Sequence, residues 1–237
     1  MRVHLQPAYI LHTRPYRDSS VIVDVLSQDY GRLSVLAKGQ RQSSTKNRKP
    51  LQPFAELNLS WQGERELKFL VDSEFRRVTP SLTGVRLYSG MYVNELLMRL
   101  LVQGDECPEI FQLYQKLLNE LGREMPVESC LRSFEIQLLD QLGYGVDFFN
   151  ESDSGRMIEA EKFYSFEIET GFNIVELRGS QSPKSNYFLG EDLLAIAHHD
   201  FSSDQVRKSA KRFMRLALAP HIGSKPLQSR ALFQKPS

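Results

Sequence analysis

The sequence predicts an α+β chain: a small five-stranded β-barrel over residues 1–80, then a mainly α-helical domain over 81–237 with a small β-hairpin insertion near 163–177. Three observations predict it. The first 75 residues hold five short strand-like runs, the apolar period changes from two to 3.6 after Pro80, and it returns briefly to two near Gly171.

The five runs are 9–12, 21–26, 32–37, 54–61 and 67–71, rich in the branched and aromatic residues that suit a pleated surface. Asp29-Tyr30-Gly31 separates the second from the third, where a tight turn with glycine at positive φ makes a hairpin. Between the third and fourth runs lies KGQRQSSTKNRKP (38–50), a basic loop carrying Lys38, Arg41, Lys46, Arg48 and Lys49 without an acid.

Past Pro80, Val93, Leu96, Leu97, Leu100 and Leu101 fall on one face of an amphipathic helix. A second helix starts at Pro108, which suits a first helical turn, and stops at Gly122; a third runs over 127–142 with Leu131, Phe134, Leu138 and Leu142 on its apolar face. Three adjacent helices can form a bundle. Residues 163–168 and 172–177 are strand-like, with Gly171 as the turn. A last helix begins at Ser203 or Asp204, both good N-caps, and ends before Pro220. It buries Val206, Ala210, Phe213 and Ala217, while Lys208, Lys211, Arg212 and Arg215 form a stripe on another face.

Charge is segregated along this chain of net charge +1. Residues 205–237 hold eight Lys or Arg and no acid, whereas residues 91–176 hold six bases against seventeen acids. A basic face attracts a polyanion, because phosphate binding needs several cations that reach a backbone repeat together. The DNA-contact candidates are therefore Lys38, Arg41, Lys46, Arg48 and Lys49 in the loop and Lys208, Lys211, Arg212 and Arg215 on the helix. A five-stranded barrel of OB type adds an open face on which aromatic side chains stack on bases; Tyr9, Tyr16, Tyr30 and Trp61 are available, although core positions suit most of them better.

Other chemistries leave little trace. No phosphate-binding GxxxxGK[ST] loop, GxSxG elbow, HExxH pair or GxGxxG turn occurs, and Cys107 and Cys130 sit far apart near helical segments. His198-His199-Asp200 has ligand-type residues, but sequence neighbours rarely face one site, so no metal and no cofactor is expected. No apolar run reaches the ~20 residues of a membrane span, and no signal-peptide pattern opens the chain; a folded cytoplasmic protein is the expectation.

Over nearly its full length the chain resembles the RecO family of bacterial recombination mediators and DNA repair proteins. The carrying segments are AYILHTRPYRDSS (8–20), GRLSVLAKG (31–39), LQPF (51–54), LYSGMYVNELL (87–97), LRSFEIQLLDQLGYGV (131–146), SAKRFMRLAL (209–218) and HIGSKPLQSRALF (221–233). The resemblance implies an N-terminal OB-fold, binding to single- and double-stranded DNA, annealing of complementary strands, and two protein partners: RecR and the acidic C-terminal tail of the single-stranded DNA-binding protein SSB. Some members of the family carry a four-cysteine zinc site after the segment equivalent to LGYGV; residues 147–176 here contain no cysteine, which argues against zinc.

The leading functional expectation is a non-enzymatic mediator that helps load a recombinase on SSB-coated DNA. Its DNA contacts would go to phosphates, with low sequence preference. The competing reading is an adaptor whose basic surfaces bind acidic protein tails and touch nucleic acid incidentally. An acidic peptide ending in an apolar residue wants a hydrophobic pocket rimmed by cations, and Arg132, beside Leu131 and Phe134 in an acid-rich segment, is the first choice for that rim.

Overall fold

The first strand is far longer than its apolar run. β1 (Arg2–Tyr16) serves two ladders, pairing antiparallel through residues 8–16 with β2 (Ser20–Ser27) and through residues 2–9 with β4 (Glu56–Gln62). Bulges between Val3 and Gln6 and between Ile10 and His12 bend it from one partner to the other. β2 continues antiparallel into β3 (Gly31–Ala37), and β5 (Leu67–Arg77) pairs parallel with β3 and antiparallel with β4. The result is a closed barrel in the order β1-β2-β3-β5-β4, the OB-type barrel expected from the sequence.

This computed structural model describes residues 1–39, 51–77, 81–176 and 185–233. They fall into two compact units, Met1–Glu124 with Ser224–Ser237, and Met125–Gly223.

In the first unit the barrel is filled by alternate residues of every strand, among them Val3, Ile10, Val23, Val35, Leu59 and Trp61. Burying a side chain of that size stabilises by roughly 1.5–3 kcal/mol each. Two helices close over the barrel. α1 (Gly84–Leu100) buries Val93, Leu96 and Leu97, and α2 (Pro108–Leu121) opens on a proline and buries Ile110, Phe111, Tyr114, Leu117, Leu118 and Leu121.

A polar chain ties these helices to the strands. Asn94 Nδ2 donates to the Leu11 carbonyl at 2.7 Å and Tyr114 donates to Asn94 Oδ1 at 2.6 Å. Gln115 Nε2 donates to the Tyr9 hydroxyl at 3.1 Å, and that hydroxyl donates to Glu56 Oε2 at 2.7 Å. Burial, with the Glu56 carboxylate beside it, raises the Tyr9 phenol well above its ordinary value, so the proton stays on tyrosine. Arg76 Nη1 completes the group at 3.0 Å from Glu56 Oε1, giving the buried carboxylate a charged partner.

The chain returns to this unit at residue 224. A short 3-10 helix (Gln228–Phe233) lies along α1, and Glu95 accepts hydrogen bonds from the Gln228 and Ser229 N–H groups and from the Ser229 hydroxyl, at 3.0, 2.9 and 2.7 Å. Burial works against the ionised carboxylate, but these donors and Arg99 outweigh it and hold Glu95 below the usual carboxylate value. Leu227 is buried in front of this turn.

The second unit holds α3 (Val127–Gln141), β6 (Phe163–Glu167), β7 (Gly171–Val175), β8 (Tyr187–Leu189), α4 (Gly190–Ala197) and α5 (Asp204–Leu218). The expected hairpin is β6–β7, and β8 adds to it to give the sheet order β7-β6-β8. The inner face of this sheet meets α5 in a cluster of phenylalanines: the Phe213 ring lies 4.9 Å from Phe148, 4.8 Å from Phe166, 5.7 Å from Phe172 and 6.0 Å from Phe188. On α4 the buried Asp192 accepts from the Ser209 hydroxyl and from Gln205 Nε2 of α5, locking the two helices together. α5 is capped by the Ser203 side chain, and all four residues of its predicted apolar face are buried.

Candidate nucleic-acid interface

Four of the five loop cations, Arg41, Lys46, Arg48 and Lys49, lie outside the described residues. The fifth, Lys38, follows the end of β3 and is exposed. Its ammonium stands 5.4 Å from the centre of the Phe69 ring on β5, a ring 42% exposed. A cation over an aromatic face is a weak attraction at an exposed site, so an incoming anion can take the lysine from it.

The four aromatics considered for stacking divide. Tyr9 and Trp61 are core residues at 1% and 2% exposure, and Tyr30 meets Trp61 edge-on at 5.4 Å. Tyr16 ends β1 at the tip of the β1–β2 hairpin, with the Arg17 guanidinium 5.3 Å from its ring centre.

On α5, Lys208, Lys211 and Arg215 are exposed and follow one another at helical spacing. Lys211 Nζ lies 3.7 Å from Glu128 Oε1, a pair more than half exposed and worth little in water. Arg212 differs: it donates to the Tyr187 carbonyl at 2.7 Å, its guanidinium lies 4.5 Å from the Phe188 ring centre, and burial lowers its pKa. It braces α5 against β8.

Arg132 is buried on α3, where it donates to Glu135 Oε1 at 2.9 Å. One helical turn further on, Ile136 borders an open pocket of about 160 Å³. Leu139, Val146, Phe148 and Phe213 give it an apolar lining, with Asp140, Tyr144 and His199 also on its wall. His199 adopts a left-handed backbone, φ 55°, and His198 ends α4 with its ring 5.4 Å from Phe149. Among the described residues no group of three His, Cys, Asp or Glu side chains is placed to hold a metal ion.

Sequence reasoning missed Phe69 as the neighbour of Lys38. The signal lay in the run 67–71, where the strand period sets Leu70 inward and Phe69 outward.

An OB-type barrel with two helices closed over it, continued into a second unit whose helix α5 exposes Lys208, Lys211 and Arg215, defines the class as an OB-fold protein with a helical second unit. The "Recombination protein O N terminal" family matches residues 1–78 and the "Recombination protein O C terminal" family matches residues 81–231. The chain is 44% identical over 233 residues to a protein named DNA repair protein RecO from Haemophilus influenzae, covering 98% of this chain and 97% of the relative. It is likewise 44% identical to DNA repair protein RecO of Cellvibrio japonicus (98% of each chain), and 41% identical to that of Aliivibrio fischeri (98% and 96%). This chain belongs to the RecO family of DNA repair proteins, and its role lies in DNA repair and recombination. No described helix is long and apolar enough to cross a membrane.

Proposed function

We propose that this protein is a non-enzymatic recombination mediator. It binds single- and double-stranded DNA through phosphate contacts, anneals complementary strands, and helps load the recombinase on SSB-coated DNA together with RecR. The observation that carries the reading is the pair of exposed cation groups, Lys38 at the exit of β3 and Lys208, Lys211 and Arg215 on α5, in a member of a DNA repair family. Arg212 is left out because its guanidinium is engaged within the fold.

The row His12–Asp24–Ser34 crosses three strands of the barrel. It has the residue types of a hydrolytic triad, yet Ser34 Oγ donates to Asp24 Oδ1 at 2.5 Å while His12 Nδ1 sits 3.8 Å from Asp24 Oδ2. The serine faces the acid rather than the imidazole, which is not the hydrogen-bond order of a hydrolytic triad.

Neutralising Lys46, Arg48 and Lys49 together is expected to weaken DNA binding and to flatten its salt slope by roughly 0.7 per lost single-strand phosphate contact, measured by fluorescence anisotropy over a salt series. An unchanged slope would remove residues 38–49 from the interface. The competing adaptor reading predicts that DNA affinity disappears at physiological salt.

For the SSB tail, the proposed site is the apolar pocket beside α3, with the terminal apolar residue of the peptide inside and Arg132, one helical turn before the lining residue Ile136, as the proposed cation. Calorimetry with the tail peptide is expected to show Arg132→Ala weakening binding by about 1–3 kcal/mol, the size of a lost charge-assisted hydrogen bond. If affinity is unchanged while Lys211→Ala abolishes it, Arg132 serves only its pair with Glu135 and the site lies on α5.

A further inference from the structure

The closing segment HIGSKPLQSRALF (221–233) has no part in the nucleic-acid interface, yet it brings the chain back at Ser224 to the unit left after Glu124. The two units are therefore joined twice, once at 124–125 and once at 223–224. The outgoing connection is built into the helices. Gly122 N–H donates to the Leu118 carbonyl at 3.0 Å, and Arg86 Nη1 on α1 donates to the Leu121 carbonyl at 3.0 Å, pinning the end of α2.

The return connection is held in another way. Among the described residues 224–233 only Leu227 and Ser229 are buried, while Leu232 and Phe233 are 41% and 44% exposed. The fixed points are few. Glu95 on α1 accepts from the Gln228 and Ser229 N–H groups and the Ser229 hydroxyl. Arg99, paired with Glu95 at 3.2 Å, donates to the Lys225 and Pro226 carbonyls at 3.1 and 3.4 Å. The Phe233 ring adds an edge-on contact with Tyr88 at 6.0 Å.

Ordering ten residues costs conformational entropy at each of them, and two buried side chains offset only part of that. The rest of the hold is concentrated on one carboxylate–guanidinium pair that grips main-chain groups. A segment with few buried apolar contacts and exposed hydrogen bonds opens by itself, without unfolding the helix on which it rests.

We propose that residues 224–233 are a releasable strap, locked by Glu95 and Arg99, whose seating joins the second unit to the first through two anchored connections and whose opening leaves the 122–126 link alone. The freedom of the second unit is then set by a side-chain pair on a helix of the first. The charge of Glu95 is the sensitive element. A neutral amide in its place fills the same space but loses the ionic pull on two N–H groups and on Arg99.

The test uses the full chain and hydrogen exchange read by NMR, in which the Gln228 and Ser229 amides report the lock directly. In the wild type they are expected to exchange at least about one hundred-fold faster than the ladder amides of β2 and β3, through local opening. Glu95→Gln should accelerate them at least about ten-fold further, with the barrel amides unchanged. Ser229→Ala, which removes only the hydroxyl, should accelerate the Gln228 amide by less. Backbone 15N relaxation on the same samples gives the tumbling time of each unit, and that of the second unit should shorten in Glu95→Gln, because a unit held by one link moves more independently.

Strap amides that exchange no faster than the barrel would show that the segment leaves only on global unfolding, and the strap is then overturned. The lock is overturned if Glu95→Gln leaves the strap amides unchanged, or if it accelerates the barrel amides equally. Faster strap exchange with unaltered tumbling of the second unit would remove the restraint that seating is proposed to impose.

Discussion

Gly31→Ala should cost the first unit at least about 2 kcal/mol and lower its thermal midpoint by several degrees. Gly31 sits at φ 59° in the β2–β3 turn, and an ideal Cβ built on it would lie 1.6 Å from the Asp105 carbonyl oxygen. That segment cannot retreat easily, because Gly104 donates to the Arg32 carbonyl at 2.8 Å and Arg32 Nε donates to the Leu101 carbonyl at 3.0 Å. Two costs therefore add, a left-handed backbone for a residue with a Cβ and the displacement of a hydrogen-bonded loop. Gly104→Ala separates them. At φ 87° with nothing within 4 Å of its Cβ, Gly104 bears only the conformational cost. Scanning calorimetry showing equal losses for the two variants would refute the steric part.

Phe213→Ala should destabilise the second unit by about 3–5 kcal/mol, the range for emptying a large aromatic site. Phe213 is 1% exposed and its ring touches Phe148, Phe166, Phe172 and Phe188, so its removal leaves four partners without a neighbour on one side. Hydrogen exchange is the measure: amides of β6, β7 and α5 should lose protection while those of the barrel keep theirs. Loss confined to a few tenths of a kcal/mol would mean that the cluster collapses around the gap.

How much of this was legible in the sequence depends on how far each element declares itself. The strand runs at 21–26 and 32–37 declared themselves because they pair with each other across a short turn and their apolar content is dense. β1 and β5 did not, since their extra length is largely polar and is held by bulged ladders to β4, distant in sequence for β1 and adjacent for β5. Helix periodicity identified the buried faces of α1, α2, α3 and α5 without saying what they pack on; α1 and α2 belong to the barrel unit and α3 to the other. α4 was invisible, eight residues long with Asp192 in its core, because its partners Gln205 and Ser209 lie on a later helix.

The site shows the same divide. Spacing alone put Arg212 in the basic stripe, and only the structure reveals that the Tyr187 carbonyl and the Phe188 ring take it inward. Arg132 had Glu135 within helical reach in the sequence, but its burial beside that partner could not be read there.

The docking of residues 224–233 on α1 has a consequence for synthesis. Glu95 and the N–H groups it receives are 133 residues apart in the chain, an interval of on the order of ten seconds of translation. Throughout that interval the side of α1 that meets the 3-10 helix stands open, and the whole of residues 125–223 must emerge before it is covered. The barrel unit is thus the first to begin folding and the last to finish, so a ribosome stalled anywhere in the second unit presents a nascent chain in which Glu95 and the Tyr88 ring still lack the partners that residues 228–233 bring.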